Sequence, residues 1–354
     1  MIPTEMTREL LAVSREAPDH EVALATRLRL VRNLREPFPA GLEPGERLLM
    51  RERLLAGLRG CSLLDGARCL EAESLAAHEI TFLAEAILGH DRIPDDTAGL
   101  GLAFGDDPRL SVLVAAEDHF VISCLRPGLA LQEAWACADA MDAALEERFE
   151  FAFSEEFGYL AASPRGAGTA LAAAVAVHLP ALALSEELPK VLRGLGALHL
   201  SLAPLNGGDE AATGLFAVGN ARTLGREEGE ILASLAGTVD KLAEFEARAR
   251  ERLLSEARSL LEDRVWTAYG QLRYARLMDG EKARELLGTL RLGCLAGIIQ
   301  DITLQEVQAM WRLLQPGHLQ AAEGRALDED DAAELRAARL RDWLGDPREE
   351  DGAR

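Results

Sequence analysis

The chain has 354 residues, 48% of them hydrophobic, and a formal charge of −21 at pH 7. The apolar content excludes general disorder, and the length is enough for a sizeable core and two domains. The acidic balance excludes a general affinity for nucleic acid or anionic membrane, both of which would repel it, but leaves room for a local basic pocket.

Residues 1–20 read as an N-terminal extension in which Met1 to Leu10 lack the apolar core of a signal peptide. No apolar run approaches the roughly 20 residues that cross a bilayer. Cys61, Cys69, Cys124, Cys137 and Cys294 are odd in number and scattered, without a Cys-x-x-Cys. Reduced thiols and a cytoplasmic location are therefore expected.

Gly45 to Arg59 places Leu, Glu and Arg at helical spacing. From Arg109 the period becomes two. Leu110, Val112 and Val114, then Phe120, Ile122 and Cys124, predict two strands joined through Glu117-Asp118. Residues 130–148 return to a helix, with Trp135, Ala138, Met141 and Leu145 on one face. Leu198, Leu200 and Leu202 alternate before Asn206-Gly207-Gly208, a hairpin signal, and Leu215 to Val218 forms the returning strand. A long helix begins near Arg226 on a stripe of Ile231, Leu235, Val239 and Leu242. Its mixed-charge run, Glu244 to Arg258, suits a solvated helix surface and puts a domain boundary near 245–255. Beyond it the period stays helical, with Leu286, Leu290, Leu304, Val307, Trp311 and Leu314 as core, and residues 345–354 form a charged tail. The pattern gives an α+β domain over 21–250 followed by an all-helical domain over 251–344.

Five stretches occur in a telling order: Thr26-Arg27-Leu28-Arg29 with Arg32-Asn33; Ala116-Glu117-Asp118-His119; Ser163-Pro164-Arg165-Gly166-Ala167-Gly168-Thr169 running into Val177-His178-Leu179-Pro180; Leu261-Glu262-Asp263-Arg264-Val265; and Leu313-Leu314-Gln315-Pro316-Gly317-His318. Together they resemble the bacterial protein arginine kinases, within the ATP:guanidino phosphotransferases, from about residue 20 to 344. The resemblance implies a largely antiparallel sheet flanked by helices, then a helical module that reads phosphoarginine.

Phosphoryl transfer is mainly positioning and charge stabilisation, and arginine forks pair two phosphate oxygens at once. By resemblance, Thr26, Arg27 and Arg29 belong to the nucleotide site; period two in a strand puts both arginines on one face. The alternative for that pair is a surface arginine couple bridging to nearby acids. Glu117 matches the carboxylate that orients the guanidinium. Ser163 stands where the family has its low-pKa cysteine, and a hydroxyl does not ionise near neutral pH; before Pro164 it reads as a helix or turn cap. Three family phosphate arginines are replaced, by Val121, Ala172 and Leu202, and the acid of the following Gly-rich loop falls on Gly207, with Asp209 and Glu210 nearby. Arg165 in the signature loop, with Arg109 or Arg222, is the candidate substitute cation; its alternative is a solvent-facing turn residue. His119 and His178 read as satisfied turn or core histidines, with no metal-ligand spacing around either. Ser163 with a histidine and Asp118 lacks the Gly-x-Ser-x-Gly elbow of a hydrolase. Of the Arg-Asp-x-x-Arg-Ala phosphoarginine motif, Ala332 to Ala337 keeps only Arg336-Ala337.

The expectation is a degenerate protein-arginine-kinase homologue, a pseudokinase or regulatory binding protein in protein quality control. The alternatives are an active kinase with a rearranged cradle, using Mg-ATP, and a structural subunit beside an active paralogue. By resemblance the partners are a Clp-type unfoldase and a zinc-containing activator protein, and a homodimer through the helical domain is expected. No metal site, nucleic acid or membrane is expected.

Overall fold

The computed structural model describes residues 2–16, 20–64, 66–88, 93, 97–205 and 213–345. In chain order the elements are α1 (Thr4–Val13), β1 (Ala23–Arg32), α2 (Pro44–Leu58), β2 (Arg68–Glu71), α3 (Ala77–Ala86), β3 (Gly101–Phe104), β4 (Leu110–Val114), β5 (Phe120–Pro127) and α4 (Leu131–Glu146). Two short strands follow, β6 (Phe153–Ser154) and β7 (Gly158–Tyr159), then β8 (Leu171–His178), α5 (Pro180–Leu184), α6 (Leu188–Ala197), β9 (Leu200–Pro204) and β10 (Leu215–Asn220). The rest is helical: α7 (Glu228–Glu256), α8 (Arg258–Tyr274), α9 (Gly280–Leu295), α10 (Leu304–Leu313), α11 (Pro316–Glu323) and α12 (Glu329–Leu344).

Eight strands form one antiparallel sheet in the order β2-β3-β4-β5-β1-β8-β10-β9. Alternation along each strand gives the sheet two unlike faces. One face carries Leu28, Leu30, Ile122, Cys124, Val175, Val177 and Val218 into the main core, where α4 and α7 cover it. On α4 this uses Ala138, Met141 and Leu145, and on α7 the stripe of Ile231, Leu235, Val239 and Leu242. Leu198, expected as a strand residue, instead caps α6 and is exposed. The pairing of β9 with β10 is the expected hairpin; its turn at Asn206-Gly207-Gly208 lies outside the described residues.

On the opposite face, α1 and α3 seal one corner of the sheet. Met6, Leu10, Phe82, Leu83, Leu102, Leu113 and Val121 form a second, smaller core there. The helical segment covers another part. Arg291 donates to the carbonyls of Glu21 and His20, Gln308 donates to that of Leu24, and Trp311 stands edge-on to His178 with ring centroids 5.1 Å apart. Local signals set these helices. Thr303 and Glu306 cap α10 reciprocally, and Asp279 accepts from the Lys282 amide at the start of α9. Helix α7 runs unbroken through 245–255. Leu286, Leu290, Val307, Trp311 and Leu314 are all buried within the chain, so these five residues give no reason to expect a second subunit; Leu304 is half-buried.

Candidate active site

The β4–β5 turn presents the acidic residues. Ala115 opens it in the left-handed region (φ 54°) and its amide bonds the His119 carbonyl at 3.0 Å. Glu117 projects to solvent at the tip. Asp118 points inward and accepts from Asn33 Nδ2 at 2.6 Å and from the Ala162 amide at 2.7 Å. Asn33 Oδ1 in turn accepts from the His119 amide at 2.9 Å and meets His119 Nδ1 at 2.8 Å, which assigns the proton to Nδ1. Burial pushes the His119 pKa down to about 4, so the ring is neutral at pH 7. Nδ1 is held in this way, but Nε2 is buried with no hydrogen-bond partner among the described residues, so the expected satisfied turn histidine is satisfied on one side only.

That Asp118–Ala162 bond delivers the signature loop beside the acidic turn. Ser163 stands at the start of a 3-10 turn (Pro164–Gly166), but its hydroxyl makes no capping bond; only its carbonyl is used, by the Gly166 amide at 2.9 Å. The expected cap is thus positional and not chemical. Thr223 Oγ1 holds the loop from the other side, 3.0 Å from the Arg165 carbonyl and 2.6 Å from that of Ala167. Gly168 (φ 109°) lies against the backbone of Leu224, where an added Cβ would approach to 2.7 Å, so only glycine fits. Ala170 has a left-handed backbone too (φ 54°). Ser163 and Arg165 are both exposed. Arg32 braces the assembly beneath: it pairs with Asp142 at 2.6 Å, donates to the Thr169 carbonyl and lies 3.5 Å above the Tyr159 ring.

Arg27 and Arg29 project from β1 on the sheet face opposite the main core, in register with identifiable neighbours. Arg29 stands between Ser123 of β5 and Ala172 of β8, Arg27 between Leu125 and Ala174, and Val31 beside Val121. Thr26 points the other way. Its hydroxyl donates to the Gly128 carbonyl at 2.6 Å and accepts from the Ala130 amide at 2.9 Å, so it anchors the β5–α4 link and does not join the arginines. Leu202 also needs correction. It pairs with Val218 and turns toward the main core, whereas Ala203, paired with Ala217, shares the arginine face. Neither residue is a cation. Gly207, Asp209 and Glu210 lie outside the described residues. Val121 is 2% exposed, sealed among Met6, Leu10, Phe82 and Leu113; Ala172 is open to solvent.

Beyond Arg27 the same face runs into a cleft of about 180 Å³ between sheet and helical segment, floored by Ala25, Ala174 and Ala176 and walled by Arg284 and Trp311. At its rim His318 bridges Glu85 (Nδ1–Oε2, 2.9 Å) and Ser14 (Nε2–Oγ, 2.9 Å), locking α1, α3 and α11 together. No local pattern announces this relay, because its members lie 233 and 304 residues apart. Arg336, the phosphoarginine-motif remnant, is 4% exposed and donates to the carbonyls of Met278 (2.7 Å) and Leu314 (3.2 Å). Its guanidinium is engaged in holding the helices. Among the described residues no group of three or more His, Cys, Asp or Glu is placed to hold a metal, and no helix is long and apolar enough to cross a membrane.

An antiparallel sheet with an acidic turn, a signature loop and an arginine pair on one strand is the architecture of an ATP:guanidino phosphotransferase. The family model for the ATP:guanido phosphotransferase C-terminal catalytic domain matches residues 63–249, and that for the protein-arginine kinase McsB C-terminal domain matches 258–353. Relatives include the protein-arginine kinase of Symbiobacterium thermophilum, 37% identical over 331 residues (92% of this chain, 93% of that protein), and that of Moorella thermoacetica, 35% identical over 334 (92% and 95%). Among solved structures, the duplicated taurocyamine kinase of Schistosoma mansoni superposes with a TM-score of 0.58 at 20% identity, covering 70% of this chain and 37% of that one. Lombricine kinase gives 0.55 at 21%, covering 65% and 68%. These two structures speak for the fold. The chain belongs to the bacterial protein arginine kinase family.

Proposed function

We propose that this family member has lost efficient phosphoryl transfer and works as a pseudokinase, a binding protein in cytoplasmic protein quality control. The observation that carries this reading is the thinned cation ladder. The positions matched by resemblance hold Val121, Ala172 and Leu202; Val121 is packed into apolar side chains, Leu202 turns to the core, and its neighbour on the arginine face is Ala203. A hydrogen bond to a charged group is worth roughly 1.5–3 kcal/mol, so three absent arginines forfeit on the order of 5–9 kcal/mol. Placed on the transition state, that is roughly three to seven decades in rate. Ser163 adds no negative charge near the guanidinium, and Arg165 is tied into the loop only through its carbonyl. A Clp-type unfoldase and a zinc-containing activator are the partners this reading takes from the family resemblance.

A second reading is an active protein arginine kinase using Mg-ATP with a rearranged cradle. It is favoured by the intact Asp118–Ala162 junction, which keeps Glu117 beside the signature loop. Mass spectrometry of arginine-rich protein substrates incubated with Mg-ATP separates the two. The pseudokinase reading expects no phosphoarginine above a Glu117→Gln control. Phosphoarginine at the level of an active family member, abolished by Glu117→Gln, would overturn it.

A further inference from the structure

Beside the signature loop, the β6–β7 hairpin and the end of α4 form an open groove of about 520 Å³ whose aromatic lining includes Phe151, Phe153 and Tyr159. The rings of Phe151 and Phe153 each meet that of Tyr159 at 76°, with centroids 6.3 and 5.3 Å away. From the buried side, the Arg32 guanidinium stacks on the same Tyr159 ring at 3.5 Å while Asp142 holds it at 2.6 Å. The aromatic corner thus already accommodates one guanidinium. Its outer side is open: Phe153 is 54% exposed, and Phe157 at the hairpin turn 46%, although phenylalanine is ordinarily a buried residue.

The rim of the groove is acidic. Glu146 ends α4, Glu147 caps it, and Glu150 follows on the same rim. A helix C-terminus carries partial negative charge and favours cations, yet the last turn of α4 holds no basic residue. Glu155 and Glu156 add two exposed carboxylates at the hairpin turn. Among the described residues no ion pair is found to Glu146, Glu147, Glu155 or Glu156. The nearby arginines are engaged elsewhere or already paired: Arg148 donates to the carbonyls of Gly57, Arg59 and Gly60, and Arg35 meets Glu150 at 3.0 Å. Burial raises the pKa of both Asp142 and Tyr159, and Glu146 adds to each rise, as an uncompensated negative field requires.

We propose that this groove docks an extended, arginine-rich polypeptide segment, one guanidinium stacking on Phe153 while its neighbours meet Glu146, Glu147 and Glu150. A planar guanidinium stacks on an aromatic ring and pairs with a carboxylate at once, which an ammonium does less well. A single exposed ion pair contributes little, so useful affinity requires several cations engaged together, and that selects a polycation over a small cation. Nucleic acid is repelled by the same charges. The groove is tied to the signature loop, since Tyr159 and Gly168 exchange backbone bonds of 2.9 and 3.3 Å. Ser163 lies four residues beyond Tyr159, at most about 14 Å of chain. The inference rests on the binding-protein reading above and names what is bound. Docking needs no nucleotide, so its failure and the failure of that reading are separate results.

The test titrates a fluorescein-labelled nona-arginine peptide with the full chain and reads anisotropy at about 50 mM salt. Saturable binding that weakens as salt rises is expected. The triple variant Glu146→Gln, Glu147→Gln, Glu150→Gln should weaken it about tenfold. A charge-matched control, Glu251→Gln, Glu256→Gln, Glu281→Gln, changes exposed residues of α7 and α9 outside the groove and should cost less than about twofold. Phe153→Ala should weaken nona-arginine about threefold and nona-lysine less. Absence of binding, or equal losses from the two triple variants, would overturn the assignment, the latter by reducing the effect to net charge. Arginine amide competing as well as the nonamer would make this a small-cation site instead. Light scattering that shows the groove variant dissociating a dimer would give the groove to a second copy of the chain, and either result overturns the proposal.

Discussion

Restoring the family arginine at residue 121 should damage the fold, while restoring it at residue 172 should not. Val121 is 2% exposed within the cluster under α1 and α3. Replacing it with arginine forfeits the burial of the valine, about 1.5–3 kcal/mol. It also forces a longer, charged side chain into a packed apolar site, where an uncompensated charge costs about 3–5 kcal/mol. Even with partial relaxation, a loss of at least about 4 kcal/mol is expected, a large share of the 5–15 kcal/mol that typically holds a domain together. Ala172 is exposed and in register with Arg29. Arginine there should change stability by less than about 0.5 kcal/mol. It adds one cation to the ladder, and one charged hydrogen bond corresponds to roughly 10- to 150-fold in Mg-ATP affinity. Urea unfolding of both variants, with calorimetric Mg-ATP titration of Ala172→Arg, reads these numbers. A Val121→Arg protein within about 1 kcal/mol of wild type would refute the view that the phosphate corner has become core.

Three more outcomes are expected. Burial raises the Glu246 pKa to about 7, against the two amides of Ala181 and Leu182 that favour its anion. An acid with a folded pKa above its unfolded value contributes stability below about pH 4.5 that is lost as pH rises to about 7, roughly 3 kcal/mol in all; Glu246→Gln should flatten that part of the wild-type stability profile, and an unchanged profile would refute the assignment. Asp118→Ala leaves the Ala162 amide without its acceptor and Asn33 Nδ2 with only the Leu160 carbonyl, so about 1–3 kcal/mol should be lost and protease cleavage near residues 160–168 should quicken; wild-type cleavage kinetics would show that the bond does not hold the loop. Ser163→Cys alone should not produce phosphoarginine detectable by mass spectrometry, since the cation ladder stays incomplete; robust signal would trace the loss of activity to the thiol.

The sheet was legible because period-two alternation at Leu110–Val114 and Phe120–Cys124 is local, as is the stripe of Ile231, Leu235, Val239 and Leu242. The arginine pair was legible for the same reason, since Arg27 and Arg29 share a strand face whatever lies above them. The face that Leu202 takes was not legible for want of register: a slip of one residue reverses the face, and only pairing with β10 fixes it. Thr26 failed because its acceptor, the Gly128 carbonyl, is 102 residues away. Val121 showed as a missing cation, but its place in a second core depends on α1 and α3, far off in sequence. The Ser14–His318–Glu85 relay is likewise a product of packing, with no spacing rule to betray it.

The central claim is that the phosphate cradle is too sparse to hold a nucleotide triphosphate for transfer. Calorimetric titration of the wild-type chain with Mg-ATP at physiological salt tests it most directly. Heat too weak to fit a dissociation constant below the millimolar range is predicted, whereas a dissociation constant in the low micromolar range would contradict it and make Arg165→Ala the next variant to measure.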